Sequence, residues 1–135
     1  MTNVEKAESL EHRRLVEQLV DWMKQEGVEV KCANCDNYVA CDQWKEAADE
    51  YVPDARGIHR NPDLLCLGES KTAEDIDKDH TKAQFKEFSN YVMPGDKGQD
   101  CPFYIAIPKG SEETLKKVLG DLGLLDKSHV KWQSF

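Results

Sequence analysis

The stretch Tyr51–Thr72, YVPDARGIHRNPDLLCLGESKT, holds the residues with the most chemical potential: two Pro-Asp pairs, then Glu69 and Lys71 separated by one residue. Two carboxylates and a lysine on one surface can hold a hard divalent cation and steer a water molecule. Mg²⁺ or Mn²⁺ prefers carboxylate oxygens and keeps several waters, so two acids and a substrate phosphate complete its shell. Such an ion acidifies bound water and neutralises a phosphate under attack, while a neighbouring lysine orients the water and offsets developing charge.

Strand periodicity selects the partner of Glu69 and Lys71. Residues two apart project from one face of a strand. Asp63 shares that parity but precedes Glu69 by six residues, roughly 20 Å along an extended chain, too far to share an ion. Asp54 precedes GIHRNP, whose Gly, Asn and Pro punctuate a turn. A hairpin folding back near Asn61 pairs position 54 with somewhere near 65 to 69, so Asp54 is the expected neighbour of Glu69. Asp63 then marks the turn or the strand start.

The remaining elements must position this hairpin. SLEHRRLVEQLVDWMKQEG repeats apolar residues at helical spacing (Leu15, Val16, Leu19, Val20, Trp22, Met23), with Ser9 as the expected N-cap and Gly27 as the stop. VEVKC alternates as a half-buried strand, with Val28, Val30 and Cys32 on one face. A loop or short strand and then a short helix around Asp42 to Asp49 are expected next, then strands over EYVPDAR and DLLCLGESK. TAEDIDKDHTKAQFKEFSNYVM reads as a loop and second helix, FYIAIP as a strand buried on both faces, and SEETLKKVLGDLG as a third helix. The tail LLDKSHVKWQSF offers an edge strand. Trp22, Trp44 and Trp132 read as packing residues. The order is α/β, in a single domain of 135 residues.

Pro53-Asp54, fourteen intervening residues and Glu69-Ser70-Lys71 resemble the signature of the PD-(D/E)xK nuclease superfamily, the restriction-endonuclease-like fold. QFKEFSNY supplies Gln84 and Tyr91 where such proteins carry a Gln and a Tyr after the lysine strand, and GESKTAED is similar to their Gly-Glu-x-Lys-Thr. The resemblance spans about residues 10–120 of the domain 1–135. It implies a helix, a three-strand meander, a helix, a strand and a helix around a mixed sheet. By this resemblance Asp54 and Glu69 are metal ligands, Lys71 the water-orienting residue, and Gln84 a support for the lysine or a contact to the nucleic-acid backbone. A first-helix glutamate completes the metal shell in such nucleases; Glu17 and Glu11 qualify, and Glu17 is preferred. The implied activity is hydrolysis of phosphodiester bonds, with DNA as the expected partner. The alternative is the same fold used as a catalytically silent binding or assembly module.

Some features pull the other way. An ExK pair arises by chance in many acidic chains, usually on a solvated salt-bridged face. The formal net charge is −8, which opposes non-specific phosphate binding. Arg56, His59, Arg60, Lys78, His80 and Lys82 are the best local cationic cluster, and a homodimer could pool such charges. The connection from Cys32 to Asp49 is longer than the family's usual one.

Five cysteines are an odd number in a chain whose opening lacks an export-signal pattern. Reduced thiols and a cytoplasmic protein are therefore expected. Cys32, Cys35 and Cys41 also suit Zn²⁺ through the C-x₂-C spacing, but with no second pair a thiol cluster is the favoured reading. Cys66 reads as packing. The four histidines are scattered, and none is assigned to catalysis. No apolar run is long enough to span a membrane.

Overall fold

The computed structural model describes residues 3–44, 50–60, 63–94 and 98–135. Helix α1 (Asn3–Gln25) is followed by strands β1 (Val28–Ala33), β2 (Ala55–His59) and β3 (Leu64–Ser70), helix α2 (Asp79–Ser89), strand β4 (Phe103–Ile107), helix α3 (Glu112–Asp121) and strand β5 (Val130–Ser134). The strands form one sheet in the order β1-β2-β3-β4-β5. The first two pairings are antiparallel, and β3-β4 and β4-β5 are parallel. The helices α2 and α3 supply the crossovers that parallel neighbours require. This is the expected α/β class, with the tail adding an edge strand. No described helix is long and apolar enough to cross a membrane.

Two apolar layers hold the sheet. On one face Val16, Leu19, Val20 and Met23 of α1 pack on Ala55, Cys66, Tyr104 and Ala106. On the other, Phe85 and Phe88 of α2 and Leu115, Val118 and Leu119 of α3 meet Leu67, Phe103, Ile105 and Ile107. Alternate residues of β4 therefore enter opposite cores, and all five are buried, which is why FYIAI is apolar throughout. Trp22 meets Tyr104 edge-on with ring centroids 5.0 Å apart, and Trp132 packs against the α2–α3 core. The side chain of Trp44 lies outside the described residues.

Local boundaries depart from the sequence expectation in four places. Helix α1 begins at Asn3, so Ser9 is inside it and is no N-cap; Gly27, at φ +91°, does end it. Tyr51–Asp54 is not strand: β2 begins at Ala55 and takes in Gly57, Ile58 and His59. Asn61 lies outside the described residues; the antiparallel pairing of β2 with β3 shows that the chain reverses between His59 and Leu64. The helix expected around Asp42–Asp49 is a 3-10 turn over Cys41–Trp44, and residues 45–49 lie outside the described ones.

Two glycines allow close packing around the hairpin. A Cβ on Gly57 would sit 2.5 Å from the Glu29 carbonyl oxygen and 2.6 Å from Val28 Cγ1, so β1 lies directly against it. A Cβ on Gly68 would meet Leu19 Cδ2 and Met23 Sδ at 2.9 Å. Only mobile side-chain ends crowd Gly68, whereas Gly57 faces a backbone that cannot yield locally. Gly57→Ala is therefore expected to destabilise the fold by about 2–3 kcal/mol, the range of overpacked cores. Gly68→Ala should cost less. Urea unfolding of the two variants provides the comparison.

Candidate active site

The hairpin register builds the site. Ala55 pairs with Gly68, Gly57 with Cys66 and His59 with Leu64. Asp54, one residue before β2, therefore lies beside Glu69 and Ser70 at the end of β3. The contact is reciprocal: the Asp54 N–H donates to Glu69 Oε1 (3.1 Å), and the Ser70 N–H donates to Asp54 Oδ2 (2.9 Å). Lys71 lies just past β3, with its Nζ 3.5 Å from Glu69 Oε2. It also donates to Gln84 Oε1 on α2. The structure thus gathers Asp54, Glu69, Lys71 and Gln84 in one place. Asp54 and Glu69 are 6% and 3% exposed, an unusual state for two acids and one that demands compensation.

That compensation comes partly from residues the sequence reading did not select. His12 of α1 places Nε2 2.9 Å from Asp54 Oδ2. Asn34, just beyond β1, donates from Nδ2 to Asp54 Oδ1 at 3.1 Å. A signal for His12 existed: it precedes Leu15, Val16 and Leu19 at helical spacing and so extends their buried stripe outward. Nothing in the sequence flags Asn34, because its position depends on a β1 register shift between Val30 and Cys32.

Other expected residues lie elsewhere. Glu17 follows His12 by five residues, about 140° around the helix. The structure accordingly places it on the wall of a cavity of about 600 Å³ with Asp21, Lys24, Cys35 and Tyr38, not beside Asp54 and Glu69. Glu11 is exposed. Two members of the cationic set lie at the far end of the hairpin. His59 ends β2, roughly 15 Å of extended chain from Asp54, and Arg60 pairs with Glu29 and Asp63 at the turn. His80 is exposed and its ring meets Tyr51 at 5.2 Å.

The proposed zinc cluster is not formed by the thiols. Cys32 and Cys41 are joined in a disulfide, with Cα atoms 5.0 Å apart, while Cys35, Cys66 and Cys101 are free. The expectation of uniformly reduced thiols is overturned with it. Spacing in the chain cannot report that the loop after β1 returns Cys41 to Cys32. Cys66 is buried as expected, and burial pushes its thiol up to about 11. Among the described residues, no group of three His, Cys, Asp or Glu side chains is arranged to hold a metal ion.

Electrostatics split the two acids. Burial pushes Asp54 up, but the His12 hydrogen bond and charge, with the Glu69 and Ser70 hydrogen bonds, outweigh it and hold the carboxyl below its ordinary 3.8. Burial, and next the Asp54 charge, drive Glu69 well above 4.5 despite the opposing Lys71 charge. Of the two carboxyls, Glu69 is therefore the one that holds a proton more readily. For His12 the hydrogen bond to Asp54 exceeds the cost of burial and raises its pKa above 6.5. Such divergent carboxyls are what a cation-binding or acid–base site produces, although structural ion pairs produce them as well.

Ser70 Oγ, between these groups in sequence, is fully buried and has no hydrogen-bond partner among the described residues. Ser70→Ala removes that unsatisfied hydroxyl and is expected to be neutral or stabilising by up to about 1 kcal/mol. A thermal melt tests this; a loss of more than that would assign the hydroxyl a role.

Comparison with known protein families, characterised proteins and solved structures finds no match to this chain. The functional reading therefore rests on the site itself.

Proposed function

We propose that the protein is a divalent-metal-dependent nuclease of the PD-(D/E)xK, restriction-endonuclease-like kind, hydrolysing phosphodiester bonds with DNA as the expected substrate. The observation that carries the reading is the reciprocal Asp54–Glu69 contact with Lys71 against Glu69. The element order helix, meander, helix, strand, helix agrees with that fold.

The donor set suits Mg²⁺ or Mn²⁺. A carboxylate offers about four lone-pair sites. Three on Asp54 are taken, by His12, Ser70 and Asn34, leaving one on Oδ1. Glu69 Oε1 accepts from Asp54 and Oε2 faces Lys71, so oxygen remains available there too. Glu69, the carboxyl that burial pushes towards its neutral form, is the one whose charge a bound cation would stabilise. Two carboxylates with waters and a phosphate satisfy these ions without a third protein ligand. When bound, the ion neutralises phosphate charge and acidifies water.

The chain's own residues supply the rest. Gln84 fixes the Lys71 ammonium beside Glu69, where it orients the attacking water and offsets charge on the phosphate. Asp54 is held rigid from both oxygens by neighbouring elements, which keeps the reacting groups aligned. His12 places a partly exposed imidazole on Asp54 and acts through that carboxylate.

One observation favours the alternative, a silent binding module. The His12 ring already meets the Asp54 carboxylate at 2.9 Å, and the contact favours the ring's charged form. The two readings separate on supercoiled plasmid, with the purified protein in Mg²⁺ or Mn²⁺ and then in EDTA. The nuclease reading expects nicking that EDTA abolishes. Absence of nicking with either ion supports the binding module.

A further inference from the structure

We infer that Asn34 is a positioning residue for Asp54 and that the Cys32–Cys41 disulfide makes its hold redox-dependent. The catalytic consequence rests on the nuclease reading; the structural linkage does not.

Asn34 grips Asp54 twice. Its N–H donates to the Asp54 carbonyl oxygen at 2.8 Å, and its Nδ2 donates to Oδ1 at 3.1 Å. The first bond fixes the backbone of the acid and the second fixes the rotation of its carboxylate. With Ser70 and His12 on Oδ2, the carboxylate is held from both sides.

Asn34 opens the loop that leaves β1, and the apolar support of that loop is limited to Cys35 and Tyr38 against the α1 core. Asn34, Asp36, Asn37, Val39 and Ala40 are exposed, and Asn37 occupies φ +73°. Two features return this loop to β1: the Ala33 N–H donating to the Val39 carbonyl at 2.9 Å, and the disulfide between Cys32 and Cys41. The bridge closes a loop that contains Asn34, two residues from Cys32. Opening it restores conformational freedom to the segment that must present both Asn34 donors. Reduction by a dithiol is balanced: the dithiol closes to its own disulfide, and Cys32 and Cys41 each gain one electron and one proton. The freed loop relaxes its grip, and Asp54 keeps only the Ser70 and His12 contacts on its side chain.

Amide hydrogen exchange by NMR tests the linkage without reference to catalysis. It compares oxidised protein with protein reduced by dithiothreitol, both in a Cys35→Ser background that removes the neighbouring free thiol. Reduction is expected to speed exchange at Asn34 and Ala33 by roughly tenfold or more, while Ile58 and Leu67 stay protected, the signature of local opening. Unchanged Asn34 protection overturns the inference. So does a loss shared equally across the sheet, which would make the bridge a global staple. A second arm uses metal-dependent nicking, with Asn34→Ala expected to lower kcat more than it raises KM. Reduction should lower kcat of the Asn34-containing protein by a similar factor and leave Asn34→Ala unaffected, since both act through one contact. Additive losses overturn the positioning role. If the parent protein does not nick, the nuclease reading fails and the exchange result alone decides the linkage.

Discussion

Lys71→Ala is expected to lower metal-dependent nicking by about 10²–10³-fold, the usual loss for one well-placed electrostatic group. Its Nζ has two partners, Glu69 Oε2 and Gln84 Oε1, so its position is set independently of substrate. The loss should fall on kcat, because the group acts where charge develops. Glu69→Gln sharpens the test. The amide resembles the protonated carboxyl that burial and Asp54 favour, so the variant should fold normally. It cannot exchange a proton for a cation, so metal-dependent activity should fall at least as far as in Lys71→Ala. Single-turnover nicking with Mg²⁺ or Mn²⁺ provides the measurement. Near-parental rates for both folded variants would remove the assignment of the site.

Asp54→Ala is expected to carry the largest stability cost at the site, about 3–5 kcal/mol, as when one partner of a buried ion pair is removed. It leaves the Ser70 N–H, Asn34 Nδ2 and His12 without their acceptor. The pH dependence follows from the three shifts. Asp54 is depressed in the fold, so its contribution is present above its unfolded 3.8 and is lost as pH falls through the lower folded value. His12 is raised, so its contribution is complete below 6.5 and fades as pH rises through the folded value. Glu69 is also raised, so its contribution is complete below 4.5 and is lost as pH climbs. The parent should therefore gain most from this cluster at about pH 4 to 4.5 and weaken progressively on the alkaline side. Glu69→Gln should flatten the alkaline decline, and Asp54→Ala should erase the acid-side gain. Urea titrations from pH 3.5 to 8.5 check both, and a decline unchanged by Glu69→Gln would mean that another group sets it.

The hairpin was legible because strand geometry leaves few choices. Glu69 and Lys71 share parity, Asp63 is too distant along the same strand, and a reversal near Asn61 can only bring Asp54 to the far end. The observed pairing of Ala55 with Gly68 places Asp54 there. The almost wholly apolar run FYIAI announced a strand buried on both faces, and β4 is indeed covered on both. The strand boundary at Ala55 was less visible, since Tyr51 and Val52 have strand-like side chains. Instead, the Glu50 and Tyr51 N–H groups donate to the Glu87 carboxylate on α2, which diverts them from the sheet.

Periodicity and residue type were enough for the α/β order, the apolar stripe of α1 and the acid–acid–lysine set, since each depends on neighbours a few positions away or on one short reversal. They could not decide which first-helix residue reaches the acids: Glu17 is preferred over Glu11, and His12 is the one that does. That choice depends on how α1 is rotated over the sheet, which the packing of Leu19 and Met23 on Gly68 sets. Nor could they reveal that Asn34 reaches Asp54, that Cys41 meets Cys32, or that Asp54 and Glu69 shift in opposite directions. Those outcomes arise from contacts between segments far apart in the chain and from the low polarity of the interior they create, and neither is written in the spacing of side chains.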